Sequence, residues 1–315
     1  PPLFTVEAMK FKEILWLKQS WDFKYNMPNF EHLKLYHARW SLCSEMVRVA
    51  MEEKGLSYES KEIKLIDQYP DGENISPEYL LINPKGVVPS LDIDGVIVTE
   101  SSVIIKKLNS LKGSKDINLW PSDISKEDLE NWVDDTTLTN GVPLGASFGA
   151  TIPPFSSILL NHMVQKYVSV PQAFRILWKH PLRERGRIFF LMKFFKVHRS
   201  ITKLNYENLI KGLLAIENQL KDRGPYFFGP FTHVDINLMC CFQRLMDVRL
   251  GEVLKIDELT NISKYWELLK SRGSYKAGIL DFYGDKENKD IEEVFGKKES
   301  EHLEPLIELI KIRSN

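Results

Sequence analysis

Leu33-Lys34-Leu35-Tyr36 alternates apolar and polar positions at the period of a strand. Beyond it the period lengthens: Val47, Ala50, Met51 and Lys54 share one face of a helix spanning about 44–54, and Gly55 stands where a C′ stop belongs. Residues 58–65 read as a second strand and 76–81 as a short helix. Two apolar runs, 91–93 and 96–98, flank Asp94-Gly95, a pair tolerant of the positive φ that a two-residue hairpin turn requires. Glu100-Ser101-Ser102 then offers cap chemistry ahead of Val103, Ile104 and Ile105. Strand, helix, strand, helix, hairpin and helix make a βαβ unit followed by a ββα unit.

Helical periodicity alone comes after. Residues 113–125 are polar and turn-rich and read as a linker. Ser125-Lys126-Glu127-Asp128 is a capping-box-like start, with Leu129, Trp132 and Val133 on one face. Residues 202–220 carry Leu209, Ile210, Leu213, Leu214 and Leu220 at helical spacing, and Thr232 with Asp235 caps an apolar helix through Leu245. Between them, 151–200 is basic: Lys166, Arg175, Lys179, Arg183, Arg185, Arg187, Lys193, Lys196 and Arg199 stand against Glu184 alone. It is also aromatic, with Tyr167, Phe174, Trp178, Phe189, Phe190, Phe194 and Phe195. Such a segment buries its rings and solvates its arginines, lines a cleft, or lies on a membrane surface. The expected organisation is an N-terminal extension (1–30), an α/β domain (31–113), a linker (114–125), an all-helical domain (126–285) with an insertion at about 151–200, and a helical tail (286–315). In the tail, Leu303, Leu306, Ile307 and Ile310 make an amphipathic helix suited to cover the second domain. Within 1–30, Phe11, Ile14, Leu15 and Leu17 fit a short amphipathic helix, and Met27 is a plausible natural start.

Composition narrows the function classes. The 315 residues suffice for two domains, and 42 basic against 43 acidic residues leave a net charge of −1, which gives no global case for nucleic acid. Three cysteines supply no disulfide framework and no metal-ligand spacing, and favour a reducing, cytoplasmic setting. No apolar run reaches the roughly 18 residues of a transmembrane helix. The histidines show no paired metal-binding spacing, so no metal is expected.

Pro89 begins a strand without an N–H, which leaves the backbone of Val88 to pair with something outside the sheet, such as a peptide-like ligand bound as an extra strand. The string Asn83-Pro84-Lys85-Gly86-Val87-Val88-Pro89-Ser90-Leu91, a short hairpin and then Glu100-Ser101 resembles the glutathione-binding half of the glutathione transferase family. The resemblance implies a thioredoxin-like N-terminal domain followed by an all-α domain, a homodimer, and glutathione as co-substrate. It implies a cis peptide before Pro89, a main-chain pairing of Val88 with glutathione, and a γ-glutamyl site at Glu100 and Ser101. Lys85 is a candidate for the glycyl carboxylate or a plain solvated lysine. The long 151–200 segment resembles the lignin β-etherase, tetrachlorohydroquinone-dehalogenase-like and ganglioside-induced differentiation-associated branches.

The chemistry needs a donor beside the glutathione sulfur, because a free thiol is only about 3% thiolate at pH 7. A hydroxyl hydrogen bond and a helix N-terminus both favour the thiolate. Ser41, Cys43 and Ser44 stand at such a place. Family spacing back from Val47-Arg48 selects Ser41, and Ser-x-Cys-Ser resembles the zeta class; Ser44 is the alternative. Cys43 as nucleophile implies disulfide-exchange chemistry of the omega kind, against the blander reading of a small buried residue. For both serines the bland reading is helix capping, which coexists with a role at sulfur. Tyr36 is a further hydroxyl, placed inside a strand. Trp132, Thr136 and Asn140, with 151–200, are the expected lining for a hydrophobic, aromatic electrophile. Addition, displacement and ether cleavage are the reactions implied; glutathione-dependent isomerisation, dehalogenation and a non-catalytic binding module are the alternatives.

Overall fold

The computed structural model describes residues 30–139 and 142–314. The chain divides into the units Pro1–Glu31 and His32–Asn315. The expected helix near Phe11–Leu17 and the start at Met27 lie outside the described residues, and so does Asn140. All described helices and strands belong to the second unit.

A four-stranded sheet runs in the order β2-β1-β3-β4. β1 (Leu33–His37) pairs in parallel with β2 (Glu59–Glu62) and antiparallel with β3 (Ser90–Ile93), which forms the hairpin with β4 (Val96–Thr99). Asp94 and Gly95 take φ of 50° and 88°, the two positive values that the hairpin turn needs. β1 buries Leu33, Leu35 and His37, while Lys34 and Tyr36 face the other way. α1 (Leu42–Lys54) and α3 (Ser101–Asn109) pack together, and α2 (Pro77–Ile82) precedes β3. With its mixed sheet and flanking helices this is the thioredoxin-like domain that the resemblance implies. Two elements differ in extent. α1 begins at Leu42 because Ser41 is its cap. β2 stops at Glu62, since the chain turns at Leu65, whose carbonyl accepts from the N–H of Gln68 and Tyr69 at 2.9 Å.

Every described element after β4 is helical. α4 (Lys126–Thr136) and α5 (Phe148–Tyr167) are followed by α6 (Val170–Lys179), α7 (Arg183–Phe194) and α8 (His198–Lys203). α9 (Tyr206–Arg223), the core helix α10 (His233–Asp247), α11 (Thr260–Lys270) and α12 (Gly273–Gly278) complete the bundle, with α13 (Asp285–Phe295) and α14 (Leu303–Ser314) beyond. The expected 202–220 helix is two helices. Thr202 Oγ1 donates to the Pro154 carbonyl at 2.8 Å, and Asn205 folds back so that its Nδ2 donates to Ile201 O at 2.8 Å.

The 151–200 segment is built from most of α5, the α6–α7 hairpin and the start of α8. Its inner face buries Ala173, Ile176, Phe189 and Met192 with Val164 and Val168 against Ile66 and Ile75 of the loop after β2. Each such apolar side chain contributes about 1.5–3 kcal/mol on burial. At Gly186 a Cβ would lie 2.9 Å from the Ile176 carbonyl, so the two helices approach to a distance that only glycine permits. In the tail, Leu306 and Ile310 are fully buried and α14 touches α9.

Candidate active site

The register of the sheet gathers the candidate residues. Tyr36 pairs with Ser90, and Ser90 with Thr99. The exit of β1, the entry of β3 and the exit of β4 therefore lie at one end of the sheet. Ser41 follows the first of these, Val88-Pro89 precedes the second, and Glu100-Ser101 follows the third.

The loop before β3 is held from beneath. Asn83 Nδ2 donates to Val87 O at 2.8 Å and to Ser90 Oγ at 3.0 Å, while Tyr79 Oη donates to the same Val87 carbonyl at 2.8 Å. Asn74 Nδ2 donates to Gly86 O at 2.8 Å, and its Oδ1 accepts from the Ile66 N–H at 2.7 Å. The Val88–Pro89 peptide is cis. Among the described residues, neither the N–H nor the C=O of half-buried Val88 has a hydrogen-bond partner. A strand-like ligand would find there one donor and one acceptor already in place, which suits a peptide main chain.

Glu100 caps α3 with φ +69° and ψ 122°, a region that non-glycine residues rarely enter and that stores about 1–3 kcal/mol of strain. Its Oε1 accepts from Lys85 Nζ at 2.8 Å, so Lys85 reaches Glu100 across the site. Ser101 is buried beside it.

At the head of α1, Ser41 Oγ accepts from Ser44 N at 3.4 Å and the residue remains partly exposed. Accepting uses an oxygen lone pair, so the Ser41 O–H stays available to donate. Ser44 is fully buried, and its Oγ accepts from the Ala38 N–H at 3.2 Å. Cys43 Sγ donates to Leu138 O at 3.6 Å. Burial pushes the Cys43 thiol up to about 11, against the smaller opposing effects of a hydrogen bond with Ser101 and the charge of Arg185. The thiol is therefore neutral at pH 7 and a poor nucleophile. Tyr36 sits mid-strand with its ring 6.2 Å from that of Tyr79.

Three supports of this loop do not stand out in the sequence. Arg48, fully buried, donates from Nη1 to Ala38 O at 3.0 Å, from Nη2 to Arg39 O at 3.0 Å and from Nε to Gly278 O at 2.8 Å. It also meets His37 Nδ1 at 3.2 Å, and burial together with Arg48 lowers the pKa of that imidazole to about 3. Trp40 Nε1 donates to Asp247 Oδ2 at 2.9 Å, and the Arg244 guanidinium lies 3.9 Å over the Trp40 ring while pairing with Glu45 at 2.9 Å. The residues just before Ser41 are thus fixed from α1, α10 and α12. Only Arg48 leaves a sequence signal, as a spacing marker, because long-range partners carry none.

The expected second-substrate residues fall differently. Thr136 is fully buried, its Oγ1 accepting from Asn237 Nδ2 at 3.1 Å, and the Trp132 ring meets Phe227 edge-on at 4.6 Å. Both therefore engage the interior of the helical domain. From the basic segment, Arg185 acts electrostatically on Cys43, on buried Asp67 and on His180.

Residues 40–111 match the family described as glutathione S-transferase, N-terminal domain. The chain is 40% identical over 101 residues, 32% of its length and 42% of the relative's, to a zeta-class glutathione S-transferase of Euphorbia esula. It is 42% identical over 77 residues to a maleylacetoacetate isomerase of Pseudomonas aeruginosa, covering 24% of this chain and 35% of that one. The chain thus spans less than half the length of these curated relatives. In fold it is similar to the crystal structure of the β-etherase LigF of a Sphingobium species, at 19% identity and a TM-score of 0.63, over 78% of this chain and 98% of that one. The domain that carries the cis-proline loop and the Glu100-Ser101 pair is thus similar to the N-terminal domain of glutathione S-transferases.

Proposed function

We propose that the protein is a glutathione transferase of the serine type, with Ser41 as the donor to the glutathione sulfur. The observation that carries this reading is the common sheet end, where Ser41, the open main chain of Val88 and Glu100-Ser101 converge. Bound glutathione supplies the thiol that becomes the nucleophile. Val88 would pair with its main chain, and Glu100 and Ser101 would hold its γ-glutamyl end. Ser41 O–H would donate to sulfur, with the N-terminus of α1 favouring the same negative charge. Arg185 adds a cation on the side of Cys43, which favours a thiolate and an anionic partner substrate. The electrophile would then be a hydrophobic, aromatic molecule bearing an acidic group, attacked by addition, displacement or ether cleavage. A second reading, glutathione-dependent isomerisation, is favoured by the similarity to a maleylacetoacetate isomerase; there the thiol is regenerated in each turnover. We further read the molecule as a homodimer in the cytoplasm.

The test is Ser41→Ala, assayed with a panel of aryl ethers, aryl halides and maleyl compounds. Turnover at pH 7 should fall about 10- to 100-fold, which corresponds to a rise of one to two units in the thiol pKa. Glutathione affinity should stay within a few-fold, and the deficit should shrink as pH rises and the thiol ionises unaided. Cys43→Ser should remain active. Full activity of Ser41→Ala together with loss in Ser44→Ala would transfer the role to Ser44. Absence of thiolate absorbance from bound glutathione in the wild type would mark a non-catalytic binding module.

A further inference from the structure

The α6–α7 hairpin has a second face that the glutathione site does not use. Its inner face is buried on α5 and on Ile66 and Ile75. Its outer face carries Phe174 and Trp178 one helical turn apart on α6, then Leu191, Phe194 and Phe195 on α7 and its C-cap. Trp178 is 69% exposed and Phe195 59%, so neither ring is spent on the core. Phe174 and Phe194 each lie 5.1 Å from the ring of Phe190, which is half-buried against the inner cluster and anchors the two exposed rings to it. Around these rings stand Arg175, Lys179, Arg187 and Lys196, all exposed and, among the described residues, without a carboxylate partner.

A helix face that is merely solvated mixes charges of both signs and keeps large rings out of water. This one joins unneutralised cations to exposed aromatics, the composition of a helix lying in a membrane interface. A second copy of the chain is a poor occupant, because a two-fold contact through this face would set Arg175, Lys179 and Arg187 against their own equivalents. We propose that the outer face of the α6–α7 hairpin docks the protein on an anionic lipid surface, with Phe174, Trp178, Phe194 and Phe195 entering the headgroup layer and the arginines and lysines meeting lipid phosphates and carboxylates. The proposal is independent of which reaction the glutathione site performs.

The test is co-sedimentation of the full chain with phosphatidylcholine vesicles, with and without phosphatidylserine. Binding should require phosphatidylserine and fall about 10-fold or more between low and high salt, because each engaged cation acts through a screened field. The double variant Arg175→Glu/Arg187→Glu should lose binding about 10-fold or more. Trp178→Ser/Phe195→Ser should weaken it and abolish a vesicle-induced blue shift in tryptophan fluorescence. Both pairs lie outside the core, so unchanged thermal melts and unchanged glutathione conjugation check that the fold is intact. No sedimentation with phosphatidylserine vesicles overturns the proposal. So does binding indifferent to these substitutions, or self-association lost in Trp178→Ser without vesicle binding, which would make the face a contact between copies.

Discussion

At the scale of single residues, Glu100 carries two opposing demands. Its carboxylate faces the site where Lys85 already meets it, while its backbone sits at φ +69°, a conformation glycine adopts without cost. Glu100→Gly separates the two. Deleting the carboxylate should weaken glutathione binding by about 1.5–3 kcal/mol, the range for a hydrogen bond to a charged group. The exposed pair with Lys85 is worth at most about 1 kcal/mol, and relief of backbone strain offsets it. Titration calorimetry and urea melts should therefore report lost affinity with stability held or raised. Unchanged affinity with reduced stability would make Glu100 a structural cap and nothing more. The capping role of Ser41 is legible because a cap is fixed by local geometry, and Ser41 caps α1 as the sequence expects. Arg48 is legible only as a landmark, since its acceptors Ala38, Arg39 and Gly278 include a residue far along the chain.

At the scale of elements, what repeats within a few residues is readable and what depends on a distant partner is not. The hairpin at Asp94-Gly95, the stop at Gly55 and the Thr232–Asp235 capping box are all present, because each is fixed by φ or by a bond between near neighbours. The break between α8 and α9 escapes periodicity, since it rests on Thr202 bonding Pro154 nearly fifty residues earlier. The two faces of the α6–α7 hairpin are likewise unreadable, because composition does not say which ring meets Ile66 and which meets water. α12 shows how such distant contacts act on the site. A Cβ at Gly278 would lie 2.8 Å from Val49 N and 2.9 Å from its Cα, so α12 approaches α1 backbone to backbone, and the Gly278 carbonyl accepts from Arg48. Gly278→Ala should push the helices apart, with an overpacking cost of about 1–3 kcal/mol. Because Arg48 also holds Ala38 and Arg39, turnover should fall along with stability. Denaturant melts that match wild type would show that the contact relaxes freely.

At the scale of the whole molecule, the helical domain holds the residues before Ser41 through Asp247, Arg244 and Gly278, and its own centre stores a pH dependence. His233 opens α10 with both ring nitrogens buried and, among the described residues, without a hydrogen-bond partner. Its ring packs edge-on against Trp120 at 5.7 Å. Burial first, then the charge of Lys106, lowers its pKa from 6.5 to about 3. A depressed folded-state value means that the neutral histidine is tolerated above pH 6.5, where the unfolded chain is neutral too. As pH falls below 6.5 the unfolded chain takes up a proton that the folded chain refuses, so stability is lost progressively until about pH 3. His233→Phe keeps a ring against Trp120 and removes that proton. At pH 7 the variant differs from wild type only by packing and by the desolvated nitrogens, a constant offset. At pH 5 the gap in unfolding free energy should have widened in favour of the variant by about 2 kcal/mol, which is 1.5 units at 1.36 kcal/mol each. Urea melts of both proteins at the two pH values read the change in gap directly, whatever the offset. An equal gap at pH 7 and pH 5 would mean that His233 takes up its proton in the folded protein, and that the head of α10 admits water.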